Sequence, residues 1–513
     1  MKNKRQLAIN LIASSVAFVV GPCINLILYP YIIKNIGVEA FGFAGLAVSF
    51  IGYAQLATVA INSMAGRFIT VKIHENDYEG ANRYFNSVMI TNLFVALFLF
   101  VSSVFCIIYL ENLVKIPADI IIDVKVLFSF IFGGFLINAI DNTFGVGVFA
   151  TNRLDISSVR DIITGLLRGA LLFLMYYFFQ PRVAYLGAAT FIMTVFVFIT
   201  NIIFTKQLLP EIKITWEFDI KAVLEIASSG VWNLITRLGA IMGQGIDLLV
   251  ANLFISPTAM GVLSVSKTIP VLIMSVLGMF NGVFAPQITI SYAQKDFEDI
   301  KKQLNFSMKM LGMMSGIPVA IIAVFGDDFY RLWVPGQDAV FLNKLSMISI
   351  ITIIFSGPFG VMGNIFTATN KIKTVSIVIF FQSLLTAIIV LISMYFIKDS
   401  NLRMLVIVGV NSFLVIILNI LFIPLYSAKC LDFKWYVFYP FMLKNISVSI
   451  MIIAAVFVIS IYLKGDTWMK LGFACLISGI VGLILDYLIM FSGQEKEKIT
   501  RLILKYIKKG ERI

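Results

Sequence analysis

The apolar segment 222–253 carries ionisable and amide side chains on one helical face. Asn233, Arg237, Gln244 and Asp247 are separated by one or two helical turns, which places them on the same side of an α-helix. A charged side chain at the centre of a membrane helix costs about 2.5–3.5 kcal/mol unless it is paired or hydrated. We therefore expect this face to line a water-filled cavity, with Arg237 as a cationic binding residue.

Two further cations and a second acid lie in other apolar segments. Arg168 and Lys267 join Arg237 as three expected cavity cations, and arginine matches phosphate with its planar fork of donors. This excess of cations predicts an anionic cargo. Two interpretations stay open for Asp141 and Asp247. Each is either one half of a buried ion pair, with Arg168 the expected partner of Asp141, or a polar, ion-coupling position in the cavity.

Neutral amides accompany these charges. Asn25 and Asn62, together with Asn233 and Gln244, supply the donors and acceptors that bind sugar hydroxyls. Because the same amides also hydrogen-bond membrane helices to one another, a sugar site and helix packing are both open interpretations.

Other reactive chemistry has little support. The four cysteines lack paired spacing, His74 is the single histidine, and the pair Asp327-Asp328 has no further acids nearby. No glycine-rich phosphate loop follows a strand. We predict no catalytic residue, no metal site, no cofactor and no enzymatic activity. The basic residues are scattered between apolar runs rather than gathered in a patch, which argues against nucleic acid as a partner.

The elements that position these residues are membrane helices. The 513-residue chain is 59% hydrophobic and 13% charged, far too apolar for a soluble domain. We predict an all-α polytopic membrane protein with about fourteen spans of about 20 residues or more. The predicted spans, numbered in chain order, lie near 7–33, 41–66, 85–109, 124–149, 157–179, 183–205, 222–253, 258–290, 304–326, 339–367, 374–397, 402–427, 440–463 and 468–491. Most Lys and Arg residues fall in the even-numbered connections and the two tails, which predicts that both termini are cytoplasmic.

The chain also repeats itself. The sequence of residues 68–89 recurs in part 219 positions later, so that Asp77 corresponds to Asp296. Ala40 and Gly42 also have identical counterparts at the same offset. The repeat defines two six-helix lobes, 1–209 and 222–430, joined by a cytoplasmic linker, 210–221. Spans 13 and 14, in 431–493, are additional. The segment 494–513 reads as a basic amphipathic tail on the anionic inner leaflet, or as a basic tail that only sets topology.

The repeat separates shared residues from unique ones. Polar residues occur in both span 1 and span 7, but Arg237 aligns with Phe18 and Lys267 aligns with Val48. We expect the asymmetric charges, rather than the shared polar stripe, to contact the cargo.

Three short motifs indicate a family. The motifs are residues 29–42 at the first predicted outside hairpin, the sequence Leu332-Trp333-Val334-Pro335-Gly336 and the sequence Ala368-Thr369-Asn370-Lys371. They resemble the polysaccharide-repeat (Wzx-type) flippases for O-antigen and capsule, a branch of the multidrug/oligosaccharidyl-lipid/polysaccharide (MOP) exporter superfamily. The resemblance covers nearly the whole chain. It implies two facing six-helix bundles that alternate access to a central cavity in the bacterial cytoplasmic membrane. It also implies undecaprenyl-diphosphate-linked oligosaccharide as cargo, and it allows other polysaccharide-assembly proteins as partners.

Two alternatives are kept. The first is a cation-coupled multidrug exporter of the same superfamily, which is disfavoured because span 1 contains no Asp or Glu. The second is a membrane polysaccharide polymerase or ligase, which is disfavoured because every predicted outside connection is short.

Overall fold

The computed structural model describes residues 2–493 and 495–496, and these residues form helices without any strand. Helices are the expected outcome, because a chain inside hydrocarbon must satisfy its backbone hydrogen bonds within each segment. The helices, with two π-helical turns, are α1 Lys2–Ala54, α2 Leu56–His74, α3 Tyr78–Ile108, α4 Leu110–Leu113, α5 Ile121–Phe144, α6 Val146–Ala150, α7 Leu154–Phe178, α8 Ala184–Leu208, α9 Ile220–Ala240, the first π-turn Ile241–Gly245, α10 Asp247–Phe254, α11 Pro257–Ser266, α12 Thr268–Ala293, α13 Phe297–Trp333, α14 Ala339–Phe359, α15 Met362–Ala368, α16 Ile372–Phe396, α17 Ser400–Ile417, the second π-turn Leu418–Phe422, α18 Ile423–Cys430, α19 Tyr439–Tyr462 and α20 Trp468–Met490.

Thirteen stretches of the described chain are long and apolar enough to cross a membrane. The predicted all-α membrane fold is thereby confirmed. The expectation of about fourteen spans differs by one because α1 contains span 1 and the first part of span 2. These two parts are separated at Gly37, whose φ of 83° interrupts the helical backbone.

The described chain divides into two compact units. Among the described residues, unit 1 comprises 2–265 with Ile372–Asn411, and unit 2 comprises Ser266–Lys371 with the described residues that follow Asn411. These boundaries do not coincide with the repeat, so the lobes 1–209 and 222–430 remain a prediction. Apart from residues 495 and 496, the predicted tail 494–513 lies outside the described residues.

A buried apolar cluster in unit 1 joins α2, α3 and α9. Ile69, Phe85, Val88 and Ile226 each expose at most 1% of their surface, so the first half of α9 is packed firmly on the two earlier helices. In unit 2 the largest buried side chains include Trp333 and Tyr330 at the end of α13. The Tyr330 hydroxyl lies 2.9 Å from the Ser346 hydroxyl of α14.

The sequence repeat is also a repeat of backbone conformation. Asn76 and Lys295, which occupy equivalent positions, have φ angles of 57° and 58°, and Asn152 and Asn370 both have a φ of 55°. Next to the first pair, the carboxylates of Asp77 and Asp296 accept backbone N–H bonds at 2.8 Å and 2.9 Å and cap α3 and α13. The matching residues at offset 219 therefore encode matching helix starts.

Repeat-equivalent residues also touch one another within unit 1. The Thr258 hydroxyl lies 3.4 Å from Glu39, its counterpart. A Cβ atom added to Gly42 would lie 2.7 Å from Cα of its counterpart Gly261, and one added to Gly45 would lie 2.6 Å from the hydroxyl oxygen of its counterpart Ser264. Where two copies are related by a two-fold axis, equivalent residues meet where the interface crosses that axis. We call this contact of α1 with α11 the dyad crossing.

Candidate functional site

The polar face of α9 is set by close packing on α2. A Cβ atom at Gly230 would overlap the backbone carbonyl of Ala60, so the two helices approach to backbone contact. At the start of α9, the Tyr84 hydroxyl donates a hydrogen bond of 2.5 Å to the Glu225 carboxylate. Glu225, two helical turns before Asn233 on α9, is therefore partnered from α3.

Arg237 is oriented by a neutral amide. Its Nη2 donates to Oε1 of Gln55 at 2.6 Å, and Gln55 is the residue at which the helical run is interrupted between α1 and α2. The predicted cation lies half-buried beside a break in the backbone of the neighbouring helix. Sequence reasoning missed Gln55, although an amide seven residues before Asn62 in the apolar run 41–66 was an available signal.

A second break lies one turn further along span 7. The π-turn Ile241–Gly245 separates α9 from α10, and the Tyr53 hydroxyl donates to the Gly245 carbonyl at 2.7 Å. Asp247, only 3% exposed, begins α10 and lies within electrostatic range of Tyr53. π-Turns and broken membrane helices concentrate at functional sites because they free backbone groups for a ligand.

α16 forms another wall beside α9. The Ser376 and Thr236 hydroxyls are 2.7 Å apart, and Lys373 Nζ lies 5.2 Å from the centre of the Trp232 ring. A Cβ at Gly243 in the π-turn would come 2.9 Å from the Ser383 hydroxyl oxygen. We call the polar region around the two backbone breaks, bounded by α16, the break site.

Arg168 of α7 belongs to a separate contact in unit 1. Its Nη2 donates to Oδ1 of Asn25 in α1, and Tyr29 is within electrostatic range of the same guanidinium. The Nε atom of Arg168 is buried and has no hydrogen-bond partner. Both predicted site residues, Arg168 and Asn25, are thus brought together.

The expected partnership of Asp141 with Arg168 is wrong. Both carboxylate oxygens of Asp141 accept bonds of 2.9 Å from Nδ2 of Asn201 in α8, and Arg160 donates to the amide oxygen of Asn201. The reason is helix rotation, since α5 packs along α8 and turns Asp141 towards that helix. Asp141 therefore contacts a neutral amide of a neighbouring helix, and its ion-coupling role stays a prediction.

The remaining predicted residues fall in three places. Oδ1 of Asn62 accepts from Asn92 at 2.8 Å, whereas Nδ2 of Asn62 is buried without a partner. Asn233 is half-buried on α9. Lys267 is half-buried immediately before α12 and belongs to unit 2. The side chain of Gln244 lies outside the described residues.

The chemistry of these contacts favours a negatively charged ligand. Arg237 and Arg168 are each held by a neutral amide oxygen, which fixes the guanidinium without cancelling its charge. Within the ranges that the structure describes, no three His, Cys, Asp or Glu side chains group as metal ligands do. The arrangement can therefore bind an anion through fixed cations and amides.

No family model matches the chain. A membrane protein of Bacillus subtilis (strain 168), the uncharacterized EpsK, is 26% identical over 466 residues, which cover 90% of this chain and 91% of EpsK. Two solved structures share the fold at 15% identity. An inward-facing multidrug resistance MATE family transporter of the MOP superfamily has a TM-score of 0.65 and covers 83% of this chain and 98% of its own. The lipid II flippase MurJ in its inward closed conformation has a TM-score of 0.67, with 93% and 97% covered. The chain is thus a multi-pass membrane protein with the fold of MOP-type transporters.

Proposed function

We propose that the protein is a membrane transporter that flips undecaprenyl-diphosphate-linked oligosaccharide from the inner to the outer leaflet, for envelope polysaccharide synthesis. Its fold is shared by a lipid II flippase, whose cargo is by name a lipid. In this proposal the headgroup crosses through the polar interior by alternating access while the lipid tail stays in the bilayer. The protein lies in the bacterial cytoplasmic membrane with both termini inside.

The observation that carries the proposal is the amide-held guanidinium of Arg237. An ion pair with a carboxylate would neutralise this cation, but Gln55 orients it and leaves its charge available. The cost of holding a cation within a membrane span is then offset when an anion arrives. A diphosphate offers the planar guanidinium two oxygens at once.

Arg168 supports the same cargo. A buried donor without a partner costs about 1–3 kcal/mol, and Nε of Arg168 is such a donor. A phosphate oxygen would satisfy it. Lys267, Asn62 and Asn233 remain proposed cargo-binding residues, with Asp247 as a proposed ion-coupling residue.

A cation-coupled multidrug exporter is the second candidate, because multidrug transporters share the fold. The two candidates differ in the sign of the ligand charge. A drug exporter of cationic compounds should gain affinity when Arg237 is neutralised, whereas a diphosphate flippase should lose it.

The test measures binding of undecaprenyl diphosphate to the purified protein, with undecaprenol and a cationic dye as comparison ligands. We expect undecaprenyl diphosphate to bind and Arg237→Gln to weaken it roughly tenfold or more, the loss of one charge-assisted contact of about 1.5–3 kcal/mol. Arg237→Lys should retain part of the affinity because it keeps the charge.

Arg182→Gln is the matched control, because Arg182 is exposed and pairs with Asp123 at 3.6 Å. The proposal fails if undecaprenol binds as well as the diphosphate, or if Arg237→Gln and Arg182→Gln behave alike. Tighter dye binding by Arg237→Gln would instead establish the exporter.

A further inference from the structure

The connection between α8 and α9 is held on α3 as an extended chain. Residues 210–219, which we call the strap, contain no helix, yet their backbone is hydrogen-bonded by side chains of α3 along most of its length. The strap is therefore an ordered part of unit 1 rather than a loose linker.

Two asparagines one helical turn apart perform the binding. Asn82 donates to the Glu211 carbonyl at 3.0 Å and accepts from Lys213 N–H at 2.6 Å. Asn86 donates to the Lys213 carbonyl at 2.8 Å and accepts from Thr215 N–H at 2.9 Å. Four residues of helix rise about 6 Å, and two residues of extended chain rise about 6.6 Å. The spacing of the two side-chain amides along α3 thus matches the two-residue spacing of the strap backbone. The amides hydrogen-bond the strap as the edge of a neighbouring strand would.

The clamp continues to the start of α9. The Ser87 hydroxyl accepts from Asp219 N–H at 2.9 Å, and the Arg83 guanidinium lies 3.5 Å from the Asp219 carboxylate. We call the two side-chain amides of Asn82 and Asn86, together with the Ser87 hydroxyl, the amide clamp. Because Asp219 caps α9 through Lys221 N–H at 2.8 Å, the clamp also fixes where the helix that bears Arg237 begins.

The strap sequence alternates between apolar and polar residues. Ile214, Trp216 and Phe218 are 45%, 64% and 50% exposed, and Ile220 at the start of α9 is 54% exposed. A row of large apolar side chains in a strap that lies directly between two membrane spans is the pattern of a segment lying in the headgroup layer. The indole ring suits that layer because it combines an apolar body with one N–H donor.

Trp216 also holds a backbone conformation that a bulky residue rarely adopts. Its φ is 60°, a left-handed value that favours glycine. Strained positions of this kind concentrate where the side chain has a role. A glycine would adopt this φ without strain, so the indole stands at a position that its backbone conformation does not favour, which points to a use for the ring.

The repeat supplies an independent observation. Trp435 stands 219 positions after Trp216, follows the last span of the second repeat and is 66% exposed. Six candidate spans separate the two residues in the chain, and an even number returns the chain to the same membrane face. An exposed tryptophan thus ends each repeat.

Charge does not explain the strap. Within the strap the one basic residue, Lys213, is outnumbered by the acids Glu211, Glu217 and Asp219, so the strap does not present a basic surface to anionic lipid. Recognition must therefore rest on the apolar and amphipathic side chains rather than on the sign of the lipid headgroup.

We propose that the strap is a membrane-surface anchor: Trp216 and its apolar neighbours insert into the headgroup layer of the cytoplasmic leaflet, while the amide clamp holds the strap in the shape that presents them. This inference needs only a membrane protein, so it stands apart from the nature of the cargo.

The test reconstitutes the full chain in phosphatidylethanolamine and phosphatidylglycerol vesicles and compares it with Trp216→Phe. The difference between the two emission signals isolates Trp216. We expect lipids brominated near the glycerol to quench this signal about twofold or more, lipids brominated near the chain end to quench it less, and iodide on both sides to quench it weakly. Vesicles without phosphatidylglycerol should give the same result.

The clamp is tested with Asn86→Ala, and its matched control is Asn305→Ala, the equivalent asparagine of the second repeat. Asn86→Ala should shift Trp216 from lipid quenching towards iodide quenching, whereas Asn305→Ala should not. Stronger quenching by iodide than by brominated lipid in the parent protein would overturn the anchor and indicate a strap that faces water or a soluble partner. Equal quenching in both asparagine variants would overturn the role of the clamp.

Discussion

Adding one methyl group at the dyad crossing should separate two helices that now touch. In Gly42→Ala the new Cβ would start 2.7 Å from Cα and 2.9 Å from N of Gly261, whereas ordinary contact begins at 3.4 Å. The obstructing atoms are backbone, so α1 and α11 must part by about 0.7 Å. Overpacking of this kind costs about 1–3 kcal/mol, and alanine returns about 1 kcal/mol through its helix propensity. We expect a net loss of about 1 kcal/mol, the middle of the resulting range, and at most about 2 kcal/mol.

Gly52→Ala is the matched control on the same helix. A Cβ at Gly52 meets no atom within 4 Å, so only the helix-propensity gain of about 1 kcal/mol applies. The two variants should therefore differ by the overpacking cost alone, about 2 kcal/mol in unfolding free energy, with Gly42→Ala showing the lower thermal midpoint in detergent.

A double variant tests the dyad directly. Gly261→Ala alone is expected to be at least as costly, because its Cβ would overlap the Val38 carbonyl. Once the first methyl has parted the helices, the second costs less, so the combined loss should fall short of the sum by about 0.5–3 kcal/mol. Strict additivity, or a Gly42→Ala protein as stable as Gly52→Ala, would refute the close contact.

Two further predictions concern helix ends. Replacing Asp77 with Ala should lower the thermal midpoint, because the Gly80 N–H at the start of α3 loses its side-chain acceptor. The Gly80 N–H and then Lys72 hold the pKa of Asp77 below its usual value of 3.8, so its electrostatic contribution is present above that pH and is lost as the pH falls through the lowered value. Asp77→Asn should retain most of the cap yet remove this acid-side loss in a thermal-midpoint profile taken from about pH 5 downward; an unchanged profile would contradict the assignment. Arg403 donates at 2.6, 2.6 and 3.0 Å to the carbonyls of Ile397, Phe254 and Met394, and Arg403→Met should cost at least about 1.5–3 kcal/mol in unfolding free energy. Arg403→Lys should recover only part of it, and full recovery would show that charge alone, rather than the fork of donors, is needed.

The membrane fold could be predicted because its signals are local. Each span is a long apolar run. Asp77 and Asp296, which are equivalent in the repeat, cap α3 and α13 in the same way. Even the miscounted span has a local cause, since the single residue Gly37 divides α1 without ending it in an obvious loop.

The partners of the polar residues could not be predicted because they depend on helix rotation. Opposite charge and membership of the same lobe predict a pair between Asp141 and Arg168. In the structure α5 is rotated so that Asp141 faces α8 and accepts a hydrogen bond from Asn201. The contact of Arg237 with Gln55 spans 182 positions in the chain, and no sequence period links them. Amides, which both donate and accept, satisfy too many partners to be assigned without coordinates.

The strap was predicted as a linker for the same reason. The strap backbone is hydrogen-bonded by side chains of α3 rather than by the backbone of a second strand. Only the strap, and not its partner α3, therefore has the sequence pattern of a strand. The alternation from Ile212 to Ile220 was visible, but the asparagines that pair with it lie about 130 positions earlier and read as ordinary residues of a helix start.

The dyad crossing bears on the ancestry of the chain. Glu39 with Thr258, Gly42 with Gly261 and Gly45 with Ser264 are the contacts that two copies of one six-helix polypeptide would make across a homodimer axis. Six helices return a chain to its starting side, so such copies would insert in parallel, and gene fusion would preserve the interface unchanged. A fusion of this kind would turn a subunit boundary into a contact within one chain, and charges in one half could then change without a matching change in the other.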